Sequence, residues 1–300
     1  MRRYMTMKKK ILIFAFFTVL LCPFFTSAQT EQFTSLSTAK TDTDRALAHQ
    51  ALKNYVVQSL NDALTTEDLE PLISNWPAGN ITAGSGKEKV VILSWNSERL
   101  DRTQDYGCFV IFGFERMGDF STFKWTELTH NRKEDPTNVE RSYRADDWPG
   151  AIYYKLILTH VKKSPVYTLL GWEGADGQVT RKIIETMIIT NDRIRLGVPY
   201  LKTDEGLKKR HVLEYGDALQ ATLNYEADKK RIVLDRLAPS DPSLVGATAF
   251  YGPTMEYDAF VWDNGKWVFT KDVNVSNNNK SNKRNIIYND PRPNRSKRSN

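Results

Sequence analysis

Cysteine is nearly missing from this chain, with two in 300 residues. Cys22 lies in an N-terminal leader, so Cys108 stands alone and no intramolecular disulfide can brace the body of the chain. Histidine is almost as scarce. His49, His130, His160 and His211 occur singly, without the spacing that brings ligands to one metal. The sequence contains no Gly-x-Ser-x-Gly nucleophile elbow and no His-Glu-x-x-His. Beyond the leader there is no apolar run of the length a membrane-spanning helix needs, about 18 residues or more. Gly79 to Lys87 ends in Gly-Ser-Gly-Lys, but Ile81 stands where a phosphate loop needs its first glycine, and Glu88 where it needs Ser or Thr. These absences set aside a disulfide scaffold, a zinc site, an elbow-type serine hydrolase and a nucleotide-binding loop. No cofactor and no metal is expected.

What is present begins with an address. Lys8-Lys9-Lys10 leads into the apolar segment Ile11 to Leu21, and Thr26-Ser27-Ala28 supplies the small residues of a cleavage site before Gln29. Residues 1–28 read as a secretory signal, with Met1 or Met7 as start. An uncharged stretch of about 15 residues is shorter than the roughly 20 that cross a bilayer. Leu21 before Cys22 argues against a lipid anchor. The expected destination is outside the cytoplasm, secreted or periplasmic, in a bacterium.

Charge follows the same division. The whole chain has 42 basic and 36 acidic residues. The leader holds Arg2, Arg3, Lys8, Lys9 and Lys10 and no acid. Residues 274–300 hold Lys280, Lys283, Arg284, Arg292, Arg295, Lys297 and Arg298 against Asp290 alone. The body between them is therefore mildly acidic, and the positive balance belongs to the two ends. No specific nucleic-acid partner is expected. The tail, rich in Asn, Ser, Pro and Arg, reads as a disordered basic segment able to contact anionic surfaces.

Between Asp42 and Leu64, apolar residues fall at spacings of three to five, a helical period, and a second helical turn is expected from Glu67 to Ser74. Residues 29–86 thus read as a helical segment with a linker, Trp76 to Gly86. From residue 87 to 273 the pattern is antiparallel β, with strands expected near Val90–Trp95, Cys108–Phe114, Phe120–Leu128, Ile152–Val161, Val166–Trp172, Arg181–Ile189, His211–Tyr215, Ala221–Tyr225, Arg231–Leu237, Tyr257–Trp262 and Lys266–Lys271. Asp263-Asn264-Gly265 between aromatic runs is the strongest hairpin signal. Gln178 to Thr190 is open to a helical reading. The polar stretch Arg132 to Gly150 is expected to divide the β region into two lobes. The fold class is mainly β, as a sandwich, barrel or propeller-like sheet protein with an N-terminal helical segment. Cys108, inside Gly107-Cys-Phe-Val-Ile-Phe-Gly113, is expected in a buried strand rather than at a reactive site.

Several phrases in this region are distinctive: Ile92-Leu-Ser-Trp-Asn96, Tyr167-Thr-Leu-Leu-Gly-Trp-Glu-Gly174, Arg181-Lys-Ile-Ile184, Lys209-Arg-His-Val-Leu-Glu-Tyr215, Phe250-Tyr-Gly-Pro253 and Tyr257-Asp-Ala-Phe260. Through them the chain resembles a family of uncharacterised secreted proteins from Bacteroidetes-type Gram-negative bacteria, over roughly residues 90 to 273. The resemblance implies a bacterial envelope rather than a eukaryotic secretory route, which makes the sequons at Asn80, Asn274 and Asn294 incidental. It carries no activity and no catalytic residue.

Two functional classes remain. A binding module for a glycan, a peptide or another envelope protein would use exposed aromatic rings, and the candidates are Trp148, Trp172, Tyr251 and Trp262. The loops Tyr251-Gly-Pro253 and Trp172-Glu-Gly174 are the first places to look. The alternative is a secreted glycosidase-like hydrolase, which needs a carboxylate pair across a cleft. Its candidates are Asp146, Asp147, Glu173, Asp235, Glu256 and Asp258, several of them beside aromatics. The sequence favours the non-enzymatic reading and sets no oligomeric state.

Overall fold

The computed structural model describes residues 28–76, 81–118 and 120–275. Of the segments expected as leader and basic tail, residues 1–27 and 276–300 lie outside the described residues. Three helices come first: α1 over residues 28–38, α2 Asp42–Asp62 and α3 Thr66–Ser74. The Thr41 side chain caps α2 by accepting from the Asp44 N–H, and Thr65 and Asp68 form a reciprocal capping box on α3.

The rest is mainly β and forms three sheets with no closed barrel. Sheet 1 has the order β1-β2-β3-β4, from Ile81–Ala83, Val90–Glu98, Gln104–Met117 and Phe120–Glu127. Sheet 2 is built from β5 (Tyr143–Arg144), β6 (Ile152–Val161), β7 (Ser164–Glu173), β8 (Val179–Thr190), β9 (Arg193–Leu196) and β12 (Arg210–Gly216). On one side β8 pairs with β7; its other edge is shared, β12 taking Val179 to Glu185 and β9 taking Met187 to Thr190. Sheet 3 has the order β11-β10-β16-β15-β14-β13, from Gly206–Lys208, Leu201–Thr203, Lys266–Thr270, Tyr251–Asp263, Arg231–Pro239 and Leu223–Glu226. The β10–β16 contact is parallel and the other pairings in this sheet are antiparallel.

The layers stack as helices, sheet 1, sheet 2, sheet 3. Leu52, Val56 and Leu60 of α2 and Leu72 of α3 pack on Val91, Leu93, Phe109 and Ile111. The alternate residues Val90, Ile92, Cys108 and Val110 face Ile152, Leu169, Ile183 and Leu196 of sheet 2. The other face of sheet 2, with Leu170, Ile184 and Leu213, meets Leu234, Phe260 and Trp267 of sheet 3. Sheet 2 is thus buried on both faces, which leaves β7 and β8 buried at nearly every position instead of alternately, with Thr180, Lys182, Glu185 and Thr186 among the buried residues of β8. That explains why Gln178 to Thr190 reads ambiguously in sequence, although it is strand. Both faces of β3 are core as well. At Gly113, φ +65°, a bulge shifts the register between Phe112 and Glu115, so Phe112 faces sheet 2 while Phe114 faces the helices.

The hairpin turn at Asn264-Gly265 has φ +46° and +79°, and Asn191-Asp192 between β8 and β9 has +50° and +61°, the signs a type I′ turn requires. Part of the expected linker, Ile81–Ala83, instead adds β1 to the edge of sheet 1. The stretch Arg132 to Gly150 connects sheets 1 and 2 around one shared core that includes Tyr143 and Trp148. Strands of two to four residues, β5, β9, β10 and β11, have no sequence signal of their own.

Candidate functional site

The hydrolase candidates are engaged in ion pairs and turn contacts. Glu173, at the end of β7, is buried: Oε2 accepts from Arg181 Nη1 at 2.6 Å, and Oε1 from the Ala175 N–H at 2.9 Å. Arg181 also binds Glu214 of β12, whose other oxygen takes the Thr248 hydroxyl. Glu256 and Asp258 are brought together by Arg236: Nη1 donates to Glu256 at 2.6 Å and Nε to Asp258 at 3.2 Å, while Asp272 sits 2.8 Å from Nη2. Asp235 is buried and accepts from the Thr222 N–H at 2.6 Å; burial raises its pKa. Asp146 pairs with its near neighbour Arg144 at 3.0 Å, and Asp147 lies 3.7 Å from the same guanidinium. A carboxyl that works as general acid must be free to donate a proton to substrate. Glu256 lines a cleft of about 540 Å³ with Met255, Tyr257 and Asp272, and no second candidate lines it.

The aromatic candidates divide. Trp148 and Trp172 are fully buried between sheets 1 and 2, so neither is the surface ring expected from sequence. Trp148 Nε1 donates to the Tyr153 hydroxyl at 2.9 Å, which donates to Glu185 at 2.7 Å. Trp262 is half-buried, its ring edge-on to Trp267 at 5.0 Å. Tyr251 is also half-buried and shapes a loop: its hydroxyl accepts from the Gly246 N–H at 3.1 Å.

Trp172-Glu173 ends β7 and Tyr251-Gly252-Pro253 opens β15, so neither is the loop expected from sequence; the segments next to them converge. The turn after Glu173 reaches Gly177-Gln178, and the segment before Tyr251 reaches Ala249-Phe250; both line a cleft of about 390 Å³. Gly216-Asp217-Ala218-Leu219, at the end of β12 and just past it, and Ser240 line it as well. The Asp217 N–H donates to the Gln178 carbonyl at 2.9 Å, tying this segment to the turn, and the Ser240 N–H donates to the Phe250 carbonyl at 2.9 Å, tying the ends of the 240–250 loop. Asp217 Oδ1 accepts from Thr180 at 3.0 Å, so this carboxylate serves the scaffold. Close approach depends on glycine. A Cβ at Gly216 would lie 2.5 Å from the Ala249 carbonyl oxygen, and one at Gly252 2.7 Å from Leu219 Cδ1.

Apolar groups stand open at this cleft. Phe250 is 53% exposed and Leu219 45%, both lining it, and Val245 on the same loop is 73% exposed. Beside them are the exposed polar residues Gln178 and Ser240. Neither Phe250 nor Leu219 is a ligand-binding candidate on sequence alone; the signal available is an apolar residue inside an otherwise small and polar loop.

Among the described residues no group of three His, Cys, Asp or Glu side chains is placed to hold a metal ion, and no helix is long and apolar enough to cross a membrane. No protein-family model, curated protein or solved structure matches the chain.

Proposed function

We propose that this protein is a non-enzymatic binding module exported to a bacterial envelope, and that the cleft between the 177–178 turn, the 216–219 segment and the 240–250 loop holds its ligand. The observation that carries the reading is the exposed Phe250 and Leu219 pair in a cleft built on close glycine contacts. An exposed ring beside amide and hydroxyl groups suits a sugar, whose CH face packs on the ring while its hydroxyls reach Gln178 and Ser240. A peptide bound by strand addition would need a free strand edge to pair with; the cleft is lined mostly by turns and a short 3-10 helix. Export rests on residues 1–28, and the basic tail supplies a salt-dependent hold on anionic surfaces.

The test is a titration of the chain from Gln29 to Asn300 with soluble envelope oligosaccharides, followed by amide chemical shifts. Shifts should concentrate at 177–178, 216–219 and 240–250 and disappear in Phe250→Ala. Shifts elsewhere, or shifts unchanged in that variant, would overturn the assignment.

A further inference from the structure

Three hairpin turns meet at one end of sheets 2 and 3. β6 and β7 are joined by Lys162-Lys163, β13 and β14 by Ala227 to Lys230, and β15 and β16 by Asn264-Gly265, with Lys266 next in the chain. A Cβ at Gly265 would lie 3.5 Å from Val161 Cγ1, and the Trp262 N–H donates to the Lys230 carbonyl at 3.0 Å, so the turns are neighbours. Lys162, Lys163 and Lys230 are exposed and Lys266 is half-buried; among the described residues none of the four is paired with an acid. Lys155, exposed on β6, adds a fifth ammonium, 6.0 Å from the centre of the Tyr225 ring.

This gathering runs against the charge of the body, which is mildly acidic. Elsewhere Lys53, Lys87, Lys124, Lys208 and Lys271 each lie within 3.3 Å of a carboxylate. The acids at the turn end are fewer and partly engaged. Glu226 is held by Arg231 at 2.6 Å and by Lys229 at 3.3 Å, and Glu88 contacts His160 at 3.0 Å. Asp228 and Asp263 sit on the turns themselves. Trp262 stands beside the Lys230 turn, half-buried, with its ring edge-on to Trp267.

Shape selects the partner. A nucleic-acid strand is held along a groove, with rings on which its bases stack. Lysines on separate turn tips form a cluster instead of a track, and a bilayer presents its phosphates as a plane that several tips can touch together. Lysine stems lie along apolar surface while their ammonium groups stay in water, and a tryptophan with an apolar body and one N–H suits the headgroup layer. We propose that this end of the molecule rests on anionic phospholipid headgroups, with Lys162, Lys163, Lys230 and Lys266 against the phosphates and Trp262 at the interface. The ten residues of β7 carry the chain about 33 Å from the Lys162-Lys163 turn toward Gly177 and Gln178. A molecule seated in this way holds the Phe250 cleft on its far side, open to a ligand. The surface is separate from that cleft and does not depend on it.

The experiment sediments the chain from Gln29 to Asn300 with vesicles of phosphatidylcholine, alone or mixed with phosphatidylglycerol. Binding should appear on the mixed vesicles, fall as salt is raised, and be absent on phosphatidylcholine alone. Lys162→Gln, Lys163→Gln and Lys230→Gln together should weaken it about tenfold or more, because each lysine near an anionic surface contributes several-fold. Lys40→Gln, Lys133→Gln and Lys271→Gln remove the same charge from other exposed positions and should leave most of the binding in place. Both variants keep the basic tail. No binding by the unaltered chain would overturn the proposal. So would an unchanged affinity in the first variant, or an equal loss in both, since the tail or the net charge would then be what holds the vesicle. Loss of heparin binding in the first variant with vesicle binding retained would assign the turns to a soluble polyanion and overturn it as well.

Discussion

His130 and His211 are both held with pKa values of about 4, well below the ordinary 6.5, chiefly because burial disfavours the charged ring, with Asp105 and Asp258 respectively pulling the other way. His49 shifts in the same direction for the same main reason. A folded-state pKa below the unfolded one means that the unfolded chain binds more protons in the interval between them. Stability is therefore complete above about pH 6.5 and falls as the pH drops toward 4. At pH 4.5 each of the two rings has withdrawn about 2.5 kcal/mol, or about 5 kcal/mol together. A domain of this size is stable by only about 5–15 kcal/mol, so the loss is a large part of the whole. Urea unfolding at pH 7.5, 6.0, 5.0 and 4.5 should show a plateau and then a slope that reaches about 2.4 kcal/mol per pH unit near pH 5. His211→Leu keeps an apolar group against Phe260 and Phe269. His130→Gln keeps an acceptor for the Tyr106 N–H, which His130 Nδ1 now accepts at 3.3 Å. The double variant should lose most of the slope between pH 6.5 and 4.5. If its profile there matches the unaltered chain, the histidines do not carry the acid sensitivity and the reasoning fails.

Glu185 and Arg210 are each about 1% exposed in the core between sheets 1 and 2, so Glu185→Ala should cost about 3–5 kcal/mol in urea unfolding at pH 7.5 by stranding the guanidinium. Glu185→Gln, which keeps an acceptor, should cost clearly less; equal losses would show that packing, not charge pairing, is what the site supplies. At the β3 bulge, Gly113→Val puts a branched side chain at φ +65° and should destabilise by about 2 kcal/mol. Calorimetry should record a fall of about 4–8 °C, and an unchanged melting temperature would mean that the bulge had simply moved.

Much of the fold is written locally. The Asn264-Gly265 turn, the aromatic strands on either side of it and the capped helices α2 and α3 follow from neighbouring residues. Pairing is not local. Arg210 meets Glu185 25 positions away, and Arg236 gathers Glu256 and Asp258 at separations of 20 and 22. A carboxylate beside a tryptophan in sequence thus says little about what its oxygens touch. Trp172 and Glu173 are successive residues, yet one fills the core and the other ends a strand in an ion pair. The cleft at Phe250 draws on three segments spread from residue 177 to 250. Glycine and proline punctuate Trp172-Glu-Gly174 and Tyr251-Gly-Pro253 in the sequence, but the residues that line the cleft lie beyond both, and the exposed Phe250 and Leu219 are marked only as apolar residues among small and polar ones.

The placement of sheet 2 between two other sheets also governs the order in which the chain can fold. Sheet 1 and the helices are made first on the ribosome, but the inner face of sheet 1 stays bare until β6 to β8 arrive. The β8 edge in turn waits for β12, and sheet 3 waits for β16 at residues 266–270 to settle beside β10 at 201–203. Contacts this far apart in sequence make loop closure the slow step. A chain that ends near residue 200 has the strands that cover the inner face of sheet 1 but neither β12 nor sheet 3, so it should expose the face of sheet 2 that carries Leu170 and Ile184.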